Sequence, residues 1–170
     1  MTIVLWHAAL DMIFEMSGDK KSAPLPYHQG MSRPIRVGVA GFGIVGRRRF
    51  ACIQANDRML AVSVCDRNAE VLTQIPDGVR AHEDYQDLLR DGLDAVFVCM
   101  SNDMSAEVTA AAVRRGLHVF CEKPPARSLE ELAMVINAER QHPHVTVMYG
   151  FNHRYHESVQ DALAIVQSGE

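Results

Sequence analysis

From residue 35 onward, short runs of apolar, often β-branched residues alternate with longer segments of helical periodicity, and this alternation constrains the fold more than any other feature. The runs at 35–40, 60–65, 93–100, 117–121 and 145–149 are nearly continuous in apolar character, so they predict strands buried on both faces. Segments 44–56, 83–90, 104–115, 128–140 and 157–168 predict the helices between and after them. Their ends carry stop and start signals: Ser128 with Glu131 forms a capping box, Arg114 and Arg115 suit the negative end of a helix dipole, and Gly116 can take the left-handed closing conformation. The expected fold is α/β, a doubly wound parallel sheet in the order 3-2-1-4-5-6 with right-handed crossovers. Its third strand, around Val79, has the weakest signal.

A chain of 170 residues that is 48% apolar can fill such a core without disulfide or metal staples. With 17 basic against 21 acidic residues the net charge is −4, and no long basic block is present, which argues against nucleic acid or an anionic membrane as partner. Cys52, Cys65, Cys99 and Cys121 form no C-x-x-C pair and read as free thiols in a reducing compartment, the cytoplasm. Residues 1–30 differ from the rest. Segment 2–16 fits a helix whose His7, Asp11 and Glu15 form one narrow polar stripe, and 17–30 reads as a linker. Met31, just before the first strand, could be the natural start. The expected organisation is an extension over 1–30, a nucleotide-binding domain over 31–156, and a leading helix over 157–170.

The first strand runs into Gly41-Phe42-Gly43-Ile44-Val45-Gly46, a G-x-G-x-x-G between a strand and a helix. Gly41 would make the tight turn, Gly43 would let backbone approach a pyrophosphate, and Gly46 would let helix pack on sheet. Asp66 follows Gly46 by twenty residues at the end of the second strand, where a carboxylate can accept from the adenosine ribose hydroxyls. Arg67 beside it could hold a 2′-phosphate, so NAD and NADP both stay open, with a lean to NAD. Arg47, Arg48 and Arg49 oppose the helix dipole; they read equally as partners of a polyanion or as a partly solvated helix face.

Ligands of an open parallel sheet sit beyond the carboxyl ends of its strands. Three such ends are polar here: Ser101-Asn102, Glu122-Lys123-Pro124-Pro125 and Asn152-His153-Arg154-Tyr155. Pro124 confines Lys123 to extended conformations, which holds its amine at the sheet edge. There an ammonium could hydrogen-bond a substrate hydroxyl and relay its proton as hydride leaves the carbon. An ordinary loop reads equally well from the spacing alone.

These residues together resemble the N-terminal half of the Gfo/Idh/MocA oxidoreductases, over 33–170, with Glu122-Lys123-Pro124 the most specific element. The resemblance implies a Rossmann domain for NAD or NADP, with Lys123 at the catalytic position. It implies that Ser101, Asn102 and Glu122 border the nicotinamide ribose, that Asn152 and Arg154 lie near the substrate, and that substrates are sugars, inositols, other polyols or their keto forms. Two positions depart from the family pattern: Ser105 stands where a His is common and Glu157 where a Pro is common. Residues 159–170 resemble the helix leading into the family's second domain, so the resemblance also implies that the partner half is missing and that this chain is short for full activity.

The pairs His142/His144 and His153/His156 have spacings a metal could use, but no Cys or carboxylate cluster accompanies them, and no metal is expected. Cys121 beside Glu122 reads as packing, since a carboxylate raises a thiol pKa. The leading reading is hydride transfer between NAD(P) and a polyol-like hydroxyl or ketone. The alternatives are a non-catalytic dinucleotide module that senses redox state or binds a partner, and a different nucleotide-like ligand on the same fold. Copies of the chain could associate through an uncovered sheet edge or the apolar N-terminal segment.

Overall fold

The computed structural model describes residues 33–169; the expected 2–16 helix, the 17–30 linker and Met31 lie outside them. The first unit, which ends at Gly150, is built as β1 (Ile35–Ala40), α1 (Ile44–Ala55), β2 (Met59–Cys65), α2 (Ala69–Leu72), β3 (Arg80–His82), α3 (Tyr85–Leu88), β4 (Ala95–Val98), α4 (Asn102–Arg114), β5 (His118–Cys121), α5 (Leu129–Gln141) and β6 (Val147–Tyr149). All six strands run parallel in the order β3-β2-β1-β4-β5-β6, as the sequence predicts. The second unit holds a 3₁₀ turn (Asn152–Tyr155) and helix α6 (Glu157–Ser168).

β1 and β4 are adjacent although β2 and β3 intervene in sequence, so strand order reverses between them. Ala40 and Val98 are register partners at their carboxyl ends, and the Cys99 amide continues the pairing to the Ala40 carbonyl at 2.7 Å. That reversal opens the crevice at which open α/β sheets bind ligands. Val37, Val39, Val64, Val96, Val98 and Cys121 of the central strands are wholly buried, which is why these strands carry no alternating polar residues.

Several expected elements are trimmed. Segment 83–90 gives only α3, capped by the Asp84 carboxylate, which accepts from the Gln86 amide. β3 is three residues long and mostly exposed, an edge strand with few apolar residues to announce it. α2 was not expected; the Asn68 side chain starts it by accepting from the Glu70 amide. The capping box closes in one direction: Ser128 Oγ accepts from the Glu131 amide, while the Glu131 carboxylate accepts from the amide of Arg127, one residue earlier than a full box requires, and pairs with the Arg127 guanidinium. Gly116 closes α4 at φ +78°, the left-handed conformation expected of it. No helix among the described residues is long and apolar enough to cross a membrane.

Candidate dinucleotide site

The glycines of the fingerprint divide into two kinds. Gly41 has φ +90°, and a Cβ there would lie 2.5 Å from the Cys99 carbonyl oxygen. At Gly46 a Cβ would lie 1.9 Å from the Gly41 carbonyl oxygen, so α1 can pack at this distance only without a side chain. Gly43 is different: its φ of −66° suits any residue, and no atom lies within 4 Å of where its Cβ would point. Nothing inside the protein requires a glycine at that position, and the open space over its backbone is what a close-lying phosphate group needs.

α1 begins immediately afterwards with no side-chain cap and no acidic residue in its first turn. Its leading amides, from Ile44 and Val45, are therefore not committed to a carboxylate, and both residues are exposed. Phe42 is buried, with its ring edge-on to Phe50 at 5.4 Å, which fixes the loop from beneath. These features fit a dinucleotide pyrophosphate.

Asp66 lies just beyond β2 and is tied to the fingerprint. Its Oδ2 accepts the Phe42 amide at 2.8 Å and its Oδ1 accepts the Asn68 amide at 2.9 Å. A carboxylate has about four lone-pair positions, so capacity remains for ribose hydroxyls. Arg67, exposed, reaches from the end of β2 to the Met104 sulfur on α4 at 3.3 Å. Arg47 donates to the Phe42 carbonyl at 3.1 Å and to Gln74 Oε1 at 2.5 Å, which ties the fingerprint to the segment after β2.

On the other side of the reversal, Ser101 and Asn102 start α4 and are exposed. The Ser101 hydroxyl and the backbone amide of Asp103 itself hold the Asp103 carboxyl below the ordinary carboxylate range. Ser105, the departure from the family pattern, is buried with its hydroxyl donating to the Ser101 carbonyl at 3.1 Å. Glu122 extends β5 by one bond, its amide donating to the Val98 carbonyl at 2.9 Å, and Lys123 follows as an exposed residue whose peptide bond to Pro124 is cis. Gly150 closes the edge, its amide bonded to the Cys121 carbonyl at 2.9 Å. The first unit thus brings Gly41 to Gly46, Asp66, Arg67, Ser101, Asn102, Glu122 and Lys123 to one edge of one sheet. Asn152 and Arg154 belong to the 3₁₀ turn of the second unit.

Sequence reasoning missed one residue here. Arg49, treated with Arg47 and Arg48 as an interchangeable run, is 2% exposed and pairs with Glu122, Nε to Oε1 at 2.6 Å, with its guanidinium 4.9 Å from the Phe120 ring. The signal was present in spacing: Gly46, Arg49, Phe50 and Ile53 fall at i, i+3, i+4 and i+7, the buried stripe of α1.

The thiols around the crevice are held in their protonated form. Burial pushes Cys65 up to about 12 and Cys121 up to about 11, and raises Cys99 as well. The rings of His153 and His156 lie 4.9 Å apart and those of His142 and His144 6.1 Å apart. Among the described residues, no three His, Cys, Asp or Glu side chains are placed so that they could hold a metal ion.

Fold, glycine cradle and the acid beyond β2 define a Rossmann nucleotide-binding domain. The chain belongs to the Gfo/Idh/MocA oxidoreductases: the model of that family, described as an oxidoreductase family with an NAD-binding Rossmann fold, matches residues 35–151. Inositol 2-dehydrogenase of Salmonella typhimurium is 31% identical over 142 residues, 80% of this chain and 42% of that protein. D-xylose 1-dehydrogenase (NADP(+)) 2 of Haloferax volcanii is 32% identical over 136 residues, 78% of this chain and 41% of that protein. The crystal structure of myo-inositol 2-dehydrogenase from Lactobacillus plantarum superposes with a TM-score of 0.75 at 27% identity, over 81% of this chain and 42% of that one. The chain therefore spans less than half the length of the relatives it matches.

Proposed function

We propose that this chain is the cofactor-binding half of an NAD(P)-dependent oxidoreductase acting on a sugar-, inositol- or other polyol-type hydroxyl or its ketone. The observation that carries the reading is Gly43, a glycine with open space over it at the start of an uncapped helix, between Asp66 on one flank and Lys123 on the other. Gly41 to Gly46 would hold the pyrophosphate, Asp66 the adenosine ribose, and Ser101, Asn102 and Glu122 the nicotinamide ribose. When bound, the nicotinamide supplies the hydride acceptor or donor.

Lys123 is the catalytic residue of this reading. Its uncharged amine takes the proton of the reacting hydroxyl in the oxidation direction and its ammonium returns one to the carbonyl oxygen in the reduction direction, while Asn152 and Arg154 serve the substrate side. The Asp66 carboxylate, which would repel a 2′-phosphate, supports a preference for NAD over NADP. In this reading the nucleotide domain comprises 31–156, the last six residues of which fall in the second unit. This reading places the protein in the cytoplasm, in keeping with its free thiols, and leaves homo-oligomer formation open to it.

The test is substrate-dependent reduction of NAD+ and NADP+ over a panel of polyols and aldoses. Turnover that falls by about 10²–10⁴-fold in Lys123→Ala, with dinucleotide affinity retained, supports the reading. Dinucleotide binding without turnover on any substrate would favour the non-catalytic module.

A further inference from the structure

The geometry points to Arg49 as a positioning residue for the nicotinamide end of the cofactor, acting through Glu122; this rests on the dinucleotide reading above. Asp66 beyond β2 takes the adenosine side and the fingerprint after β1 takes the pyrophosphate. The other mononucleotide must therefore lie over the ends of β4 and β5, where Glu122 stands. Arg49 projects from α1, the helix whose N-terminus meets the phosphates, and reaches Glu122 seventy-three residues later in the chain. One side chain thus links the phosphate-binding helix to the strand end that carries Lys123.

Burial decides what the link is for. Arg49 is 2% exposed and the Glu122 side chain 13%. Taking two charges out of water costs about as much as their attraction returns, and apolar pairs of similar volume are commonly as stable or more so. Stability alone gives little reason for an ion pair here, whereas orientation does: the guanidinium fork fixes Oε1, packed over the Phe120 ring. Gly150 adds the second constraint. A Cβ at that position would lie 3.0 Å from Glu122 Oε2 and 3.2 Å from Phe120, so the bare backbone leaves the carboxylate in place. Oε1 is held from within, and the group reaches the edge of the sheet in one orientation.

The consequence is selective. Loss of Arg49 leaves the carboxylate of Glu122 without its orienting partner and disturbs the ground on which Lys123 stands. It does not touch Asp66 or Gly43. The experiment compares NADH with ADP-ribose, which lacks the nicotinamide, on the full chain and on Arg49→Met, Arg49→Lys, Glu122→Gln and the Arg49→Met/Glu122→Gln pair. Affinities come from calorimetry, and the emission of bound NADH reports the surroundings of its dihydronicotinamide ring.

The expected result is an NADH affinity lowered about tenfold in each single variant, with Arg49→Lys intermediate. The emission change on binding should be reduced, ADP-ribose affinity should hold within about twofold, and the double variant should be no worse than the singles. Retained ADP-ribose binding also certifies that each variant folds. Equal losses for both ligands, or no loss for NADH, would overturn the assignment. A wild-type chain that binds neither ligand would instead overturn the dinucleotide reading beneath it.

Discussion

The Asp66 carboxylate accepts the backbone amide of Phe42 at 2.8 Å, which ties the end of β2 to the second residue of the glycine fingerprint. One side chain thereby sets the shape of the glycine loop and presents a charge on its β2 flank, where the proposed reading puts the adenosine ribose. Asp66→Ala should weaken NAD+ by about 10- to 100-fold, the range for loss of a charge-assisted hydrogen bond, and NADP+ by less. Asp66→Asn keeps an acceptor for Phe42 and should retain more stability while losing the discrimination. Parallel titrations with both dinucleotides check this; equal losses would remove Asp66 from the ribose.

Gly46→Ala tests the packing of α1. A methyl group 1.9 Å from the Gly41 carbonyl oxygen forces helix and loop apart, and the expected destabilisation is about 3 kcal/mol. A lowered urea midpoint at unchanged slope is the measurement. An unchanged midpoint would mean that α1 does not pack on β1 as described.

The central sheet was legible because parallel strands buried on both faces leave uninterrupted apolar runs, and β1, β4 and β5 were each expected within a few residues of where they lie. The Gly41 to Gly46 turn was legible because its glycine requirements are local. β3 was faint because a three-residue edge strand, Arg80–His82, has little to bury. The pairing of Arg49 with Glu122 was hidden for another reason. Three consecutive arginines look alike in composition; helical spacing with Phe50 and Ile53 marks Arg49 as the one that turns inward, but only tertiary packing supplies Glu122 as its partner.

His118 gives the fold an acid-sensitive contact. It is buried at the start of β5, and its Nδ1 accepts the Thr146 amide at 3.1 Å, which requires that nitrogen to be unprotonated. Burial, and after it the neighbouring His144, hold its pKa below the ordinary 6.5. A group depressed in this way contributes stability that is present above pH 6.5 and is lost as pH falls below it toward the folded-state value. Melting temperature should therefore drop as pH falls below 6.5 in the wild type and drop less in His118→Asn, whose side-chain amide keeps an acceptor without titrating. Parallel pH profiles of the two would contradict this.

The most direct test of the account is a calorimetric titration of NAD+ into the wild-type chain and into Gly43→Ala. A methyl group at Gly43 meets no protein atom within 4 Å, so the variant should match the wild type in thermal stability to within about 0.5 kcal/mol. The predicted result is saturable one-to-one binding by the wild type and at least about a tenfold loss in the variant. Equal affinity in both proteins, or no binding by the wild type, would contradict a dinucleotide held over Gly43.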